Sequence, residues 1–343
     1  MKRLWLGLAL IALSSAVLLL SDWRQRQATG SVPRLALLQH ASSPLADEAI
    51  QGILEGLAAG GFRDGVNIRI ERFNAENDVG TGIAIARQLV TGEYKLVITS
   101  STRSLQAVAH ANKEGRVIHG FGLVADPFIA GVGLNRADPM DHPRHLVGIG
   151  SFLPVEKSFE LARKLYPRLR TVGVPWNPSE ANSEAMTAKA REVSKRLGIE
   201  LLEAAVENSP AVREAANSLV SRGVDAVWIG GDVTVSVACD SVVAAARQGR
   251  IPVFSILPPT AQRGVLFDLG ANFILVGQQT GQLAAEILKG ADPARYPIRN
   301  YVPERLVVNP KALVGLKDPW RLPDDVLRAA DTVIGEKAQA TGK

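Results

Sequence analysis

The sequence predicts an α/β protein of two similar lobes, each built on a parallel sheet. Three observations carry this. Short apolar runs alternate with helix-length amphipathic segments, as in βαβ units. The second half repeats the order of the first. The chain has 343 residues, 46% of them hydrophobic and only 5% aromatic, which is material for two cores packed mainly with Val, Ile, Leu and Ala.

In the first half the spacing predicts strands at Leu35–Leu38, Asn67–Phe73, Leu96–Thr99 and Val117–Phe121, with helices near Asp47–Ala59, Thr81–Val90 and Thr102–Lys113. Gly60 and Gly61 stand where a helix C-cap is wanted. In the second half, strands fit Thr171–Pro175, Ile199–Val206, Ala226–Ile229 and Pro252–Ile256. Helices fit Ser179–Leu197, Pro210–Ser221 and Thr234–Gln248. The run Leu89-Val90 then Leu96-Val97-Ile98 matches Leu219-Val220 then Ala226-Val227-Trp228 at a constant offset. Gly122 to Gly150, rich in Gly, Pro, Asp and His, reads as a crossover with an exposed loop. A strand at Val265–Leu269 and a helix from Asn272 to Lys289 then return to the first lobe, and Arg305–Val308 forms a last strand. The expected division is 31–122 plus about 264–296 for the first lobe, about 123–263 plus 297–320 for the second, and a tail at 321–343.

Residues 1–30 form a separate segment. Lys2 and Arg3 precede an uncharged run from Leu4 to Leu20, the pattern of an export signal. Residues 4–20 are also near the shortest length that spans a membrane, so the segment is either cleaved, near Ala28 and Gly30, or kept as an anchor in the cytoplasmic membrane. Either way the remainder is extracytoplasmic, or periplasmic. The formal charge of +5 is spread along the chain without basic runs or interleaved aromatics, which argues against nucleic acid. Cys239 is the only cysteine, so no disulfide and no cysteine metal cluster can form within the chain, and its apolar neighbours mark it as core. His142 and His145 lack a third ligand nearby, and there is no P-loop, nucleophile elbow or His-Glu-x-x-His. No metal, cofactor or catalytic residue is expected.

Ligands of parallel α/β sheets bind beyond the carboxyl ends of the strands. Those ends are polar here. They carry Gln39, His40, Ser42 and Ser43 after the first strand, and Ser100, Ser101, Thr102 and Ser104 after the third. Asp126 follows the fourth. The second half supplies Asn177, Ser179, Glu180, Asn182 and Ser183, then Gly231, Asp232 and Thr234, and Asp268 ends a late strand. Hydroxyls and free amides at a helix start suit a carboxylate, and an aspartate suits an ammonium, so the set suits an amino acid or similar zwitterion. The same residues also suit N-capping.

These loops resemble the ABC-transporter substrate-binding family that includes tryptophan and other aromatic amino-acid binders. The best segment is Thr171-Val172-Gly173-Val174 leading to Asn177-Pro178-Ser179-Glu180-Ala181-Asn182-Ser183. Asp126-Pro127, Gly231-Asp232 with Thr234, and Ile251-Pro252-Val253-Phe254 follow in order. The resemblance implies a type I periplasmic-binding-protein fold, with two Rossmann-like lobes, a hinge and the ligand in the cleft. It implies that Ser101, Thr102, Asp126, Asn177, Glu180, Asn182, Ser183, Asp232 and Asp268 line that cleft. It also implies an ABC permease and a cytoplasmic ATPase as partners, and hinge closure on the ligand. Departures fall at Ser101-Thr102-Arg103, Ala125 and Asp268-Leu269-Gly270, so they bear on the ligand; Arg103 favours an anion if it points inward, and Trp176 offers a stacking surface. The alternative role is a membrane-tethered sensor that reports ligand occupancy to a partner protein.

Overall fold

The computed structural model describes residues 32–335 except Pro259, together with Ser15. The proposed export segment and the end of the tail therefore lie outside the described residues. No described helix is long and apolar enough to cross a membrane.

The chain opens with β1 (Arg34–Gln39), α1 (Pro44–Ala59), β2 (Arg69–Asn74), α2 (Val79–Thr91), β3 (Leu96–Thr99), α3 (Thr102–Ala111), β4 (His119–Val124) and β5 (Leu146–Gly150). Side-chain caps start each helix: Ser43 Oγ accepts from Ala46 N, Asp78 from Thr81 N and Ser101 from Ser104 N. Next come α4 (Val155–Leu165), β6 (Thr171–Trp176), α5 (Ala181–Leu197), β7 (Glu200–Ala205), α6 (Val212–Ser221) and β8 (Ala226–Ile229). They are followed by α7 (Val233–Val237), α8 (Cys239–Gln248), β9 (Val253–Ser255), β10 (Phe267–Ala271) and α9 (Phe273–Leu288). The end is β11 (Arg299–Asn300), β12 (Glu304–Val308), α10 (Asp324–Ala329) and β13 (Thr332–Val333).

Two sheets result. The first has the order β11-β5-β4-β3-β1-β2 and the second β13-β12-β10-β9-β8-β6-β7. Every pair is parallel except β10–β12. β3 and β8, the strands of the internal repeat, occupy the same place in their sheets, so the repeat is one of topology. The central strands are buried on both faces, with Leu35 to Leu38 and Ala226 to Ile229 inaccessible to solvent.

The lobe boundaries differ from the expectation in four places. The segment around 123–150 ends in β5, which pairs with β4 in the first sheet; Gly148 permits this, because a Cβ there would collide with Phe121. Residues 267–271 stay in the second sheet as β10, and only α9 returns to the first lobe. β11 pairs with β5, so the chain is still in the first lobe at residue 300. The tail supplies α10 and β13, which closes the edge of the second sheet against β12. The chain therefore crosses between sheets three times, after Gly150, at Asn272 and after Asn300. Besides β5, β11, α10 and β13, two further elements were not anticipated from sequence as observed. α4 buries Val155, Phe159, Ala162 and Leu165 on one face, and the helix expected over 234–248 breaks at Ala238.

α1 and α9 meet backbone to backbone. Gly52 and Gly56 face Gly277 and Gly281, and a Cβ on any of the four would fall on a main-chain oxygen of the other helix: Ile274, Gln278, Ala49 and Ile53 respectively. Small-xxx-small spacing on both helices permits this approach, where Cα–H groups can contact facing carbonyls. In an isolated helix Gly→Ala gains about 1 kcal/mol. Here the overlap is with backbone, so Gly281→Ala is expected to lose about 2 kcal/mol net through overpacking. A urea unfolding midpoint at or above wild type would show that the helices are not in this contact.

Candidate functional site

A cavity of about 80 Å³ lies between the two sheets, at the carboxyl ends of their strands. The first lobe walls it with the turn into α1 (His40, Ser43, Leu45, Ala46), with Ser100 to Thr102 at the start of α3, and with Leu123 and Ala125 at the end of β4. The second lobe contributes Asn182, Gly231, Asp232, Val233 and Ser236, and the crossings contribute Leu153 and Phe273. The register of β4 with β5 shifts between Phe121 and Val124, and Leu123 inside that bulge has φ +55°. A leucine in the left-handed region is strained, and here the strain accompanies a side chain that lines the cavity.

Behind Asn182 and Asp232, a buried hydrogen-bond net ties the starts of α5 and α7 together. Asp232 accepts from Asn177 N at 2.5 Å, Ser183 Oγ at 2.6 Å and Val235 N at 2.7 Å. Glu180 accepts from Val233 N at 3.0 Å, Thr234 N at 3.1 Å and Thr234 Oγ1 at 2.5 Å. Asn177 Nδ2 donates to Thr234 Oγ1 at 3.1 Å, and Asn182 Nδ2 donates to Gly231 O at 2.5 Å. Burial first, and the neighbouring Glu180 second, push the Asp232 carboxyl up to about 7. The folded site therefore favours its protonated form more than water does.

Arg103 reaches from α3 across the cleft. Its Nη2 donates to Ser179 Oγ at 3.3 Å and lies 3.6 Å from Glu180 Oε1, whose side chain is fully buried. Arg305 of β12 bonds Glu48 of α1 at 3.0 Å, a second bridge between the lobes. Among the described residues, His40 Nε2, Arg103 Nε and Asn182 Oδ1 are buried without a hydrogen-bond partner. Burial and the Arg103 charge hold His40 below the usual histidine range, so it is neutral at pH 7.

Of the residues expected to bind ligand, Ser101, Thr102, Asn182 and Asp232 line the cavity. Asn177, Glu180, Ser183 and Thr234 form the net behind it, and Arg103 bridges the lobes. The others lie elsewhere. Gln39 and Ser42 bond each other, and Ser42 also takes a bond from Asn74, at the outer side of the first lobe. Asp126 caps the turn at Phe128 and pairs with Arg136. Trp176 packs in the second core under the Arg191 guanidinium. Asp268 is wholly buried and accepts from Ser255 and Thr260; its burial pushes it up to about 6. Leu45, Leu123, Leu153 and Phe273 were missed because a search for polar strand ends passes over apolar lining. The positions of Leu45 and Phe273, in the first turns of α1 and α9, were the available signal.

The model of the ABC transporter substrate binding protein family matches residues 34–334. The tyrosine-binding protein of Clostridioides difficile (strain R20291) is 28% identical over 282 residues, covering 82% of this chain and 80% of that protein. Among solved structures, an ABC domain from Streptococcus pneumonia in complex with L-Trp overlaps with a TM-score of 0.82 at 26% identity, over 89% of this chain and 100% of that one. The ligand-free, open structure of a substrate binding protein with adhesive properties from Clostridium difficile overlaps with a TM-score of 0.64 at 28% identity, over 86% and 97%. A conserved domain protein from Vibrio cholerae gives 0.83 at 27% identity, over 88% and 100%.

The raised Asp232 carboxyl has a definite sign. Between its unfolded value near ~4 and its folded value of about 7, the folded protein holds a proton that the unfolded chain releases, so this group's contribution to stability falls as pH rises. Asp232→Asn removes that slope. Its unfolding temperature relative to wild type is expected to climb between pH 4.5 and 7.5, while parallel curves for the two proteins would count against a raised carboxyl.

Proposed function

The chain belongs to the ABC transporter substrate binding protein family, and from that premise we propose that it is the extracytoplasmic receptor of an importer. In this reading it takes a small amino-acid-like ligand in the interlobe cleft and presents it to a membrane permease driven by a cytoplasmic ATPase. The family is one of binding proteins, and the cleft returns its ligand unchanged.

The observation that carries the reading is a cavity walled by both lobes, in which His40 and Asn182 each keep a buried polar atom unpaired. A ligand that fills both vacant bonds gains more from the closed arrangement than from the open one, which is the condition for driving closure. Ser100 to Thr102 at the start of α3 provide hydroxyls and amides for a carboxylate. Asp232 and Asn182 face it from the other lobe as a site for an ammonium. An ammonium beside Asp232 favours its charged form, so ligand entry shifts Asp232 toward the carboxylate. Leu45, Leu123, Leu153 and Phe273 pack the apolar part. The tyrosine-binding and L-Trp-bound relatives support an amino acid with a sizeable apolar side chain. The greater overlap with the L-Trp-bound structure than with the open one matches the bridge from Arg103 to Ser179 and Glu180, which requires the lobes to be close.

The test is thermal unfolding of residues 31–343 with L-Tyr, L-Trp and, as a non-amino-acid control, myo-inositol. A ligand at 100 times its Kd adds about 2.7 kcal/mol, a rise of a few degrees. The amino acids alone are expected to give it, and Asn182→Ala is expected to weaken binding about tenfold, the loss of roughly one good hydrogen bond. A rise with the polyol alone would replace the amino-acid reading.

A further inference from the structure

A trough of about 830 Å³ runs over the first lobe to the edge of the cleft, where Arg103 and Ser179 line it, and shares only His40 with the cleft cavity. α3 contributes Ala107, His110 and Ala111 to it, α2 contributes Val79, Ile83 and Arg87, and the loop after β4 contributes Val132 and Pro143.

Three properties distinguish it from a plain surface furrow. Arg87, Arg103 and Lys113 line it, and no aspartate or glutamate does. Among the described residues, Arg87 and Lys113 form no ion pair, so their charge is not neutralised within the lobe. Val79, Ile83 and Arg87 follow one another at i, i+4 and i+8 on a single face of α2, with Val79 51% and Ile83 40% exposed, so two bare apolar groups lead to a free cation. His119 is fully buried and lines the trough. Its Nε2 meets Thr99 Oγ1 at 2.9 Å, while its Nδ1 has no partner. A buried imidazole nitrogen left unpaired loses the water it would otherwise bond.

We propose that this trough is a second binding site, separate from the cleft, for an organic anion with an apolar body, an aryl carboxylate being the simplest case. Arg87 and Lys113 attract the anionic end, and Val79, Ile83 and Val132 cover the apolar body. The volume is in the range of small-molecule sites, roughly 300–1,000 Å³.

The test is calorimetric titration of 2-naphthoate into the whole protein, into an Arg87→Glu/Lys113→Glu variant and into Ile83→Ser. All three substituted side chains are exposed, and unchanged unfolding temperatures would confirm intact folds. Wild type is expected to bind saturably at one site. The charge-reversed variant is expected to bind about tenfold more weakly or worse, Ile83→Ser should also bind more weakly, and added salt should weaken wild-type binding. The absence of saturable binding to wild type would overturn the proposal. So would equal affinity for wild type and the charge-reversed variant, since that result places 2-naphthoate in the cleft or elsewhere. The response of the cleft to L-Tyr or L-Trp is read separately, so either site can fail without the other.

Discussion

The contact between α1 and α9 is the constraint on which the geometry of the cleft depends. With glycine at 52, 56, 277 and 281, two helices that are far apart in sequence share one tight seam. Each begins at the cleft: α1 just after Ser43, with Leu45 in its first turn, and α9 at Phe273, one residue past a crossing between the sheets. Locking the two axes together fixes the wall of the first lobe relative to the hinge. A softer interface, with flexible side chains between the helices, would let that wall slide by the width of a methyl group. A ligand only a few atoms across would sense such a slip.

The second lobe reaches the same precision with hydrogen bonds. Asn177, Glu180, Ser183, Asp232 and Thr234 leave little of their bonding capacity idle, so the starts of α5 and α7 are held as one piece. Two carboxyls share that piece, and burial makes it costly for both to be charged. A rigid wall of hydrogen bonds faces a rigid wall set by glycines. What is left to move is the relative position of the lobes, with the bridges Arg103–Glu180 and Arg305–Glu48 closing the gap.

Much of this was legible in the sequence because buried parallel strands write themselves as uninterrupted aliphatic runs, and the first three helices open on recognisable caps. The repeat around Leu96 and Ala226 fell on the same strand position in both sheets. Lobe membership was harder. β5 reads weakly because two of its five residues, Gly148 and Gly150, have no side chain to signal a strand, and β10 looks the same whichever sheet it joins. α4 had its signal, Val155, Phe159, Ala162 and Leu165 on one face, and went unread beside the irregular crossover. At the site, strand-end position identified Ser101, Thr102, Asn182 and Asp232. It had no means of separating them from Asp126 or Asp268, which bind local donors away from the cavity. Only the three-dimensional position of each carboxyl relative to the cavity makes that division.

The triple crossing has a consequence for how such a chain is made. The first sheet takes its edge strand from residues 299–300, and the glycine face of α1 waits for α9 at 273–288. A ribosome that has emitted only the first 150 residues has therefore delivered a lobe without its partner helix or its last strand. The first lobe finishes only after most of the second has been synthesised, and neither can be cut out as a contiguous fragment.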